Sequence, residues 1–403
     1  MIRPYLDLLR REPAVLVFGI LCAFLSAPGQ TFFISLFLGD VAETVGVGAA
    51  EMGSLYLLAT MGAATLLPVT GPWIDRLDLR WYVAFVLVAL AGACAAMAGA
   101  NGPLGLLAGF LLLRLTGQGL MTHIGVTSVA RYFTTRRGQA LALVAVGFPL
   151  AEGILPGIAV ALISAIGWRE TYLAVATAVL LLAAPALVHL AGRVPAFARP
   201  PADTATSPRP RLLDGFRIVA GTRFFRCALP ILLFMPFTST ALIFHIQAIA
   251  QDKGWPAGLV AFGLIAYAVG HLAGLAVSGG LVDRLGARAM LPRMNLPLLI
   301  GVAALGAFDA QAAAIVFFGL NGFSAGLVVT AVGAVWAEVY GVSRLGTIRS
   351  FAVMLMVAGT ALGPATIGIP IDAGVGIGWI CAGLILAGTA AALLAELERR
   401  AGP

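Results

Sequence analysis

Residues 71–80 read GPWIDRLDLR, and residues 279–288 read GGLVDRLGAR. The strings share a Gly, the run Asp-Arg-Leu and a terminal Arg, and 283 minus 75 sets their offset at 208. Working outward at that offset, Gly46 matches Gly254, Gly62 matches Gly270, Tyr132 matches Tyr340, Arg136 matches Arg344, Gly138 matches Gly346 and Pro156 matches Pro364. An ungapped register from residue 46 to 364 predicts two homologous halves, because shared hydrophobicity alone does not preserve Asp, Arg, Tyr and Pro.

The composition says what those halves are made of. Of 403 residues, 60% are hydrophobic and only 11% charged, with a mean hydropathy of +0.99; soluble domains carry about 25% charged residues. A soluble fold, a disordered chain and a disulfide scaffold on four cysteines are all excluded. A membrane helix needs roughly 20 apolar residues, and twelve such spans are predicted, at about 14–38, 52–72, 81–100, 104–127, 139–164, 170–192, 224–250, 257–279, 289–308, 312–335, 347–370 and 376–397. The expected fold is an all-α polytopic membrane protein of two pseudo-symmetric six-helix bundles. The bundles are expected at 1–192 and 224–403, joined by a polar cytoplasmic segment, 193–223, in which a short surface helix is expected at Leu212–Val219.

Charge placement gives the orientation. With the N-terminus cytoplasmic, of 25 Lys and Arg only Arg169 and Lys253 fall outside and Arg114 falls within a span, while Asp40, Glu43, Glu51, Asp309 and Asp372 occupy outer loops. This is the positive-inside pattern, and it predicts both termini in the cytoplasm of a bacterial-type inner membrane. The net charge of +7 forms no stripe with interleaved aromatics, so no nucleic acid is expected. The first helix lacks a cleavage pattern and reads as a span rather than a signal peptide. The cysteines are spaced neither as CxxC nor with His, so no metal is expected. Lys253 is the only Lys and no Walker A motif occurs, which excludes an ATP-driven pump. No catalytic triad or HExxH appears, and neither an enzyme nor a cofactor is expected.

Two six-span halves, a long central loop and Gly-x-x-x-Asp-Arg in both the 2/3 and 8/9 loops resemble the major facilitator superfamily. The second copy (Gly279, Asp283, Arg284, Gly286, Arg288) follows the family string more closely; in the first, Asp78 stands in place of the Gly and Leu79 in place of an Arg, with Arg80 retained. The resemblance implies gating by this loop, with Asp75 and Arg76 facing the start of span 11 near Arg349, and Arg80, Asp283, Arg284 and Arg288 as further gate residues. Arg114 followed by Gln118 and Gly119 resembles the family's span 4 Arg with its Gln-Gly pair, one residue longer than usual. Gly147, Pro149, Gly153, Pro156 and Gly157 resemble the span 5 pattern of its antiporters. Arg136-Arg137-Gly138 and His245 with Asp252 and Gly254 resemble its monocarboxylate and oxalate or formate carriers, although Leu275 occupies the place of those carriers' span 8 Arg.

Ionisable groups at mid-membrane depth are costly and point to function. Arg114 and Glu152 both fall near the middle of their spans. A guanidinium holds its proton and binds carboxylates bidentately, whereas a carboxylate can change protonation, so the two read either as an anion site beside a proton site or as an ion pair fixing spans 4 and 5. Gln30, Thr31, His245, Tyr267, His271 and Asn321 complete the candidate substrate site with Gln118; interhelical hydrogen bonding is the alternative for each. The expected activity is proton-coupled secondary transport of a small organic anion by a monomer in the lipid bilayer. Efflux of drugs or metabolites by antiport, and a non-transporting solute sensor, are the alternatives. The orientation predicts that an impermeant thiol reagent labels Thr44→Cys and spares Ala205→Cys in intact cells; the reverse pattern would invert the topology.

Overall fold

Inside a bilayer no water is available to backbone N–H and C=O groups, so a spanning chain must pair them within itself, and helix does so locally. The computed structural model describes residues 3–133, 136–194, 219–256, 258–341 and 345–401, and every regular element among them is helical. Ten of the described helices are long and apolar enough to cross a membrane, and two shorter apolar ones, Pro13–Gly29 and Leu296–Ala307, stand at the expected first and ninth spans. The chain is an all-α membrane protein. It divides into unit 1, Met1–Val47 with Leu58–Ser207, and unit 2, Gly48–Leu57 with Pro208–Pro403. Most of 193–223, with the expected surface helix, lies outside the described residues.

Unit 1 opens with α1 (Arg3–Arg11) and α2 (Pro13–Phe24). The first span, expected as one helix, is broken: α2 gives way to a 3-10 turn (Ala27–Gly29), then a single turn α3 (Thr31–Ile34), then α4 (Leu38–Val45). Pro28 supplies no N–H and restricts the residue before it, and Gln30 is extended. The Ser26 and Ser35 hydroxyls donate to Ala23 O and Phe32 O at 2.6 and 2.9 Å. There follow α5 (Ala49–Thr70), whose first residues belong to unit 2, a 3-10 turn (Gly71–Asp75), α6 (Leu79–Ala98), α7 (Pro103–Leu113), a π-helical segment (Arg114–Met121) and α8 (Thr122–Tyr132). Then come α9 (Arg137–Ala145), α10 (Gly147–Ile166), α11 (Trp168–Ala178) and α12 (Ala184–Gly192).

Unit 2 holds α13 (Arg223–Phe244), α14 (Ile246–Asp252), α15 (Leu259–Leu285), α16 (Ala287–Met290), α17 (Leu296–Ala307), α18 (Gln311–Tyr340), α19 (Leu345–Asp372) and α20 (Ile377–Arg400). One apolar core at the loop end of this unit gathers Phe224, Phe225, Ile231, Met294, Leu327 and Trp336. α15 and α18 pack backbone to backbone, with Gly322 against Tyr267 O and Gly326 against His271 O, the close approach that small residues permit.

The repeat read from sequence is visible in local geometry. α14 starts at Ile246 and α4 at Leu38, and 246 minus 208 is 38. Each is followed by a left-handed glycine, Gly46 at φ +75° and Gly254 at φ +63°, where a side chain would strain the turn. The repeated tyrosines also do the same work. Tyr132 donates to Glu12 Oε2 at 2.7 Å, Glu12 being the N-cap residue of α2. Tyr340 shares a 2.6 Å hydrogen bond with Thr222, the N-cap of α13.

The two loop copies reach one result by different means. In unit 2, Gly286 turns at φ +82°, and Glu338, from α18, accepts the Ala287 and Arg288 N–H groups at 2.6 and 3.3 Å. In unit 1, Asp78 occupies the Gly286 position without a positive φ and caps α6 itself, accepting the Arg80 N–H at 2.9 Å. Its carboxylate also pairs with the Arg80 guanidinium at 2.7 Å, which holds its pKa below the ordinary carboxylate range; the charge therefore persists at neutral pH and is lost only as pH falls through that lowered pKa. At the place equivalent to Glu338, 338 minus 208, stands Ala130. Glu338→Ala should therefore lower the stability of the purified protein by about 1–2 kcal/mol, as loss of an N-cap does, with Glu338→Gln milder; thermal unfolding in detergent is the measurement.

Candidate functional site

The break in the first span leaves the carbonyl of Gly29 without a regular helical partner, and Arg114 takes it, Nη1 donating to Gly29 O at 3.1 Å. Arg114 is 2% exposed. It opens the π-helical segment Arg114–Met121, and a π turn holds one residue more than an α turn. That segment accommodates the residue by which the Arg114–Gln118 spacing exceeds the string it resembles. The π segment and the 3-10 turn meet through backbone: a Cβ on Gly117 would lie 2.6 Å from Gly29 N, and one on Gly29 would collide with Leu113 O.

Three elements converge here within unit 1. The π segment carries Arg114 and a half-buried Gln118, and the broken span carries half-buried Gln30 and Thr31. α10 packs on both the 3-10 turn and α3 and carries Glu152, 8% exposed. Gln30 is oriented by donating to Ser26 Oγ at 3.1 Å. The structure thus places Arg114, Gln118, Gln30 and Thr31 on the π segment and broken span that meet in unit 1, with Glu152 on a helix packed against that junction, around irregular backbone that is tolerated at membrane depth only inside protein or beside a cavity.

The unit 2 residues are distributed differently. His245 is the hinge between α13 and α14, and its Nε2 donates to Pro364 O at 2.9 Å. Tyr267 and His271 lie one turn apart on α15 with their rings 6.0 Å apart, edge to face. Asn321, on α18, is wholly enclosed. Of the loop residues, Arg80 is tied to Asp78, and Arg288 pairs with Glu398 at 2.5 Å. Arg76, Asp283 and Arg284 are exposed. The side chains of Asp75 and Arg349 lie outside the described residues. Among the described residues no cluster of three His, Cys, Asp or Glu is placed to hold a metal. Sequence reasoning missed Gly29 and Glu338; the Pro28-Gly29 pair inside an apolar run was the available signal for the first, and Glu338 carried none.

Comparison with known proteins bears on this arrangement. The family model described as Major Facilitator Superfamily matches residues 19–265, more than half the chain. No curated protein matches by sequence. Among solved structures, the chain is similar to the nucleoside transporter NupG, at 14% identity and TM-score 0.71 with 96% of this chain and 98% of that one covered. It is also similar to a bacterial homolog of the human lysosomal transporter Spinster, inward-facing and unoccupied, at 15% identity and TM-score 0.67 with 96% and 95% covered. At such identities the likeness is one of fold.

The Gly29 junction makes a graded prediction. Gly29→Ala places a methyl on fixed backbone and should destabilise by about 1–3 kcal/mol, with loss of folded yield. Gly157→Ala, on α10 where nothing lies within 4 Å, should be neutral or slightly stabilising. Size-exclusion profiles and thermal unfolding of the two variants give the comparison.

Proposed function

The chain belongs to the Major Facilitator Superfamily, and from that premise we propose that it is a secondary transporter carrying a small organic anion, coupled to protons, in a bacterial inner membrane with both termini cytoplasmic. The observation that carries the reading is Arg114: a permanently charged group, 2% exposed, borne on a π turn and steadied by a carbonyl of a broken helix. Burying a guanidinium at membrane depth is costly, and the five donors of its planar fork match a carboxylate. The Gly29 carbonyl engages Nη1 and fixes the plane in which the fork is presented. Discontinuous helices at equivalent places in the two halves, at Leu38 and Ile246, are the pattern by which repeat-built transporters form substrate sites. Gln30, Thr31 and Gln118, and from unit 2 His245, Tyr267, His271 and Asn321, are the residues assigned to substrate polar groups.

Glu152 is the proton carrier in this reading. A carboxyl can change protonation where a guanidinium cannot, so Glu152 is assigned the proton that travels with the anion, and the two gradients are linked. Asp75, Arg76, Arg349, Asp283 and Arg284 are assigned to gating on the family resemblance of the two loops, while Arg80 and Arg288 act by fixing their own loops.

Proteoliposomes loaded with a panel of small carboxylates test this. Glu152→Gln, which mimics the protonated acid, should retain substrate exchange and lose accumulation driven by a pH gradient. Arg114→Ala should lose both, by tenfold or more, that is about 1.4 kcal/mol or above. Accumulation by Glu152→Gln with unaltered pH dependence would transfer the proton role elsewhere, His271 first. Export of apolar amines with no carboxylate exchange would favour the antiport of drugs or metabolites.

A further inference from the structure

Arg293, Arg399 and Arg400 converge on one carboxylate at the loop end of unit 2. Glu396, in the last turns of α20, accepts from Arg399 Nε and Nη2 at 2.9 and 2.7 Å and from Arg400 Nε at 2.9 Å, while Arg293 Nη1 stands 3.7 Å from its Oε2. Three guanidinium groups against one acid leave two positive charges at close range. The neighbouring acid, Glu398, is buried and already paired with Arg288. Arg293 and Arg400 are exposed, and among the described residues neither Nη group of Arg400 has an acceptor. Guanidinium groups bind phosphate oxygens through paired N–H donors, so Glu396 holds together a set of donors that is short of negative charge.

The apolar surroundings decide which anion fits. α17 and α20 run side by side: a Cβ on Gly306 would lie 2.6 Å from Cys381 Cβ, and one on Gly388 would lie 2.7 Å from Leu299 Cδ2. The Arg293–Glu396 pair closes this seam at its loop end. On the flank that the pair marks, both helices expose apolar side chains, Leu296 and Ile300 on α17 and Leu393 and Leu397 on α20. Leu296 and Ile300 follow Arg293, and Leu393 and Leu397 precede Arg400, at the three- and seven-residue intervals that keep one helical face. Each face therefore runs from leucine into arginine, the order in which a bilayer passes from acyl chain to headgroup.

We propose that Arg293, Arg399 and Arg400 form a binding site for the phosphate of an anionic glycerophospholipid whose acyl chains lie along the groove between α17 and α20. A free phosphate would engage the guanidinium groups alone, whereas a lipid also covers the four exposed apolar side chains beside them. The sign of charge suits the cytoplasmic leaflet, where anionic lipids gather, and the arginine bias of the sequence assigns this end of the spans to that side. The first half has no equivalent. Phe85 stands at the place of Arg293, since 293 minus 208 is 85, and α12 ends on a single arginine, Arg193, with no acid beside it. The site is therefore an addition to one half rather than part of the duplicated frame, and it acts whatever the substrate is.

The test titrates full-length protein in detergent with phosphatidylglycerol and counts bound lipid by native mass spectrometry. Arg293→Gln/Arg400→Gln should weaken apparent affinity by about fivefold for each Arg removed, the scale of one basic residue at an anionic membrane surface, and leave binding of zwitterionic phosphatidylethanolamine unchanged. Arg400→Gln alone, at the exposed end of α20, should show a single step and keeps the comparison open if the double variant misfolds, as size-exclusion profiles and thermal unfolding report. Arg193→Gln removes the same charge from an exposed position in unit 1 and should leave affinity unchanged. Glu396→Gln keeps the guanidinium groups and removes their acid, so it should bind at least as tightly as the unaltered chain. Neither sn-glycerol 3-phosphate nor inorganic phosphate at equal concentration should displace the lipid. Unchanged affinity in Arg400→Gln, an equal loss in Arg193→Gln, or weaker binding in folded Glu396→Gln would overturn the proposal, the last by showing a self-contained ion network. Displacement by inorganic phosphate would also overturn it, by assigning the arginines to a free anion.

Discussion

At several points where this chain departs from regular helix, freed backbone groups are met by a side chain from another element, which matters most where hydrocarbon offers no partner. The rest of the structure follows from that constraint. Gly29 O, released by the break in the first span, receives Arg114. The N–H groups at the start of α16 receive Glu338, and those at the start of α5 receive Asp372. His245, where the seventh span breaks, donates to Pro364 O. In the first three a polar side chain on one helix is fixed by the end or break of another, whereas His245 ties its own break to α19.

Duplication explains the frame but not these partners. Both halves carry a break in their first span, a left-handed glycine after it, and a tyrosine tying the fourth span to the N-cap of the first. The capping groups differ. Asp78 caps α6 from within its own loop, whereas the second half keeps Gly286 and brings Glu338 from α18. A loop Gly needs a remote acid to complete the cap, and a loop Asp makes the remote acid unnecessary, so Ala130 suffices in the first half. What is shared is the requirement that helix donors be paired; the residue that meets it is free to change.

The sequence made the twofold architecture legible because Asp, Arg, Tyr and Pro survive in register where apolar residues interchange. Arg114 and Glu152 were legible for a related reason: charge at membrane depth is so costly that its mere presence is informative, and both are buried. The broken first span was not, since Ser26 to Phe37 is apolar enough to pass as continuous helix and hydropathy is blind to backbone geometry. The Arg114–Gln118 spacing stood out only against the string it resembles, and the π turn that carries it needed coordinates. Asp372 read simply as an outer-loop acid, because its partners are two backbone N–H groups, and backbone donors leave no mark in a sequence.

The repeat also shows why the mid-membrane charges sit in one half. Arg114 corresponds to residue 322, since 114 plus 208 is 322, and that residue is Gly. Gly322 lies against the backbone of Tyr267, so close that a Cβ would collide with its carbonyl. Glu152 corresponds likewise to Thr360, whose hydroxyl donates back into its own helix at Val357 O, 2.7 Å away. A guanidinium needs lateral room and an acceptor, and the π turn facing a broken span provides both in unit 1. The continuous α18 closed on α15 removes that room in unit 2. A charged site and a tight helix seam are competing uses of one position, and the two halves of the chain have taken one each.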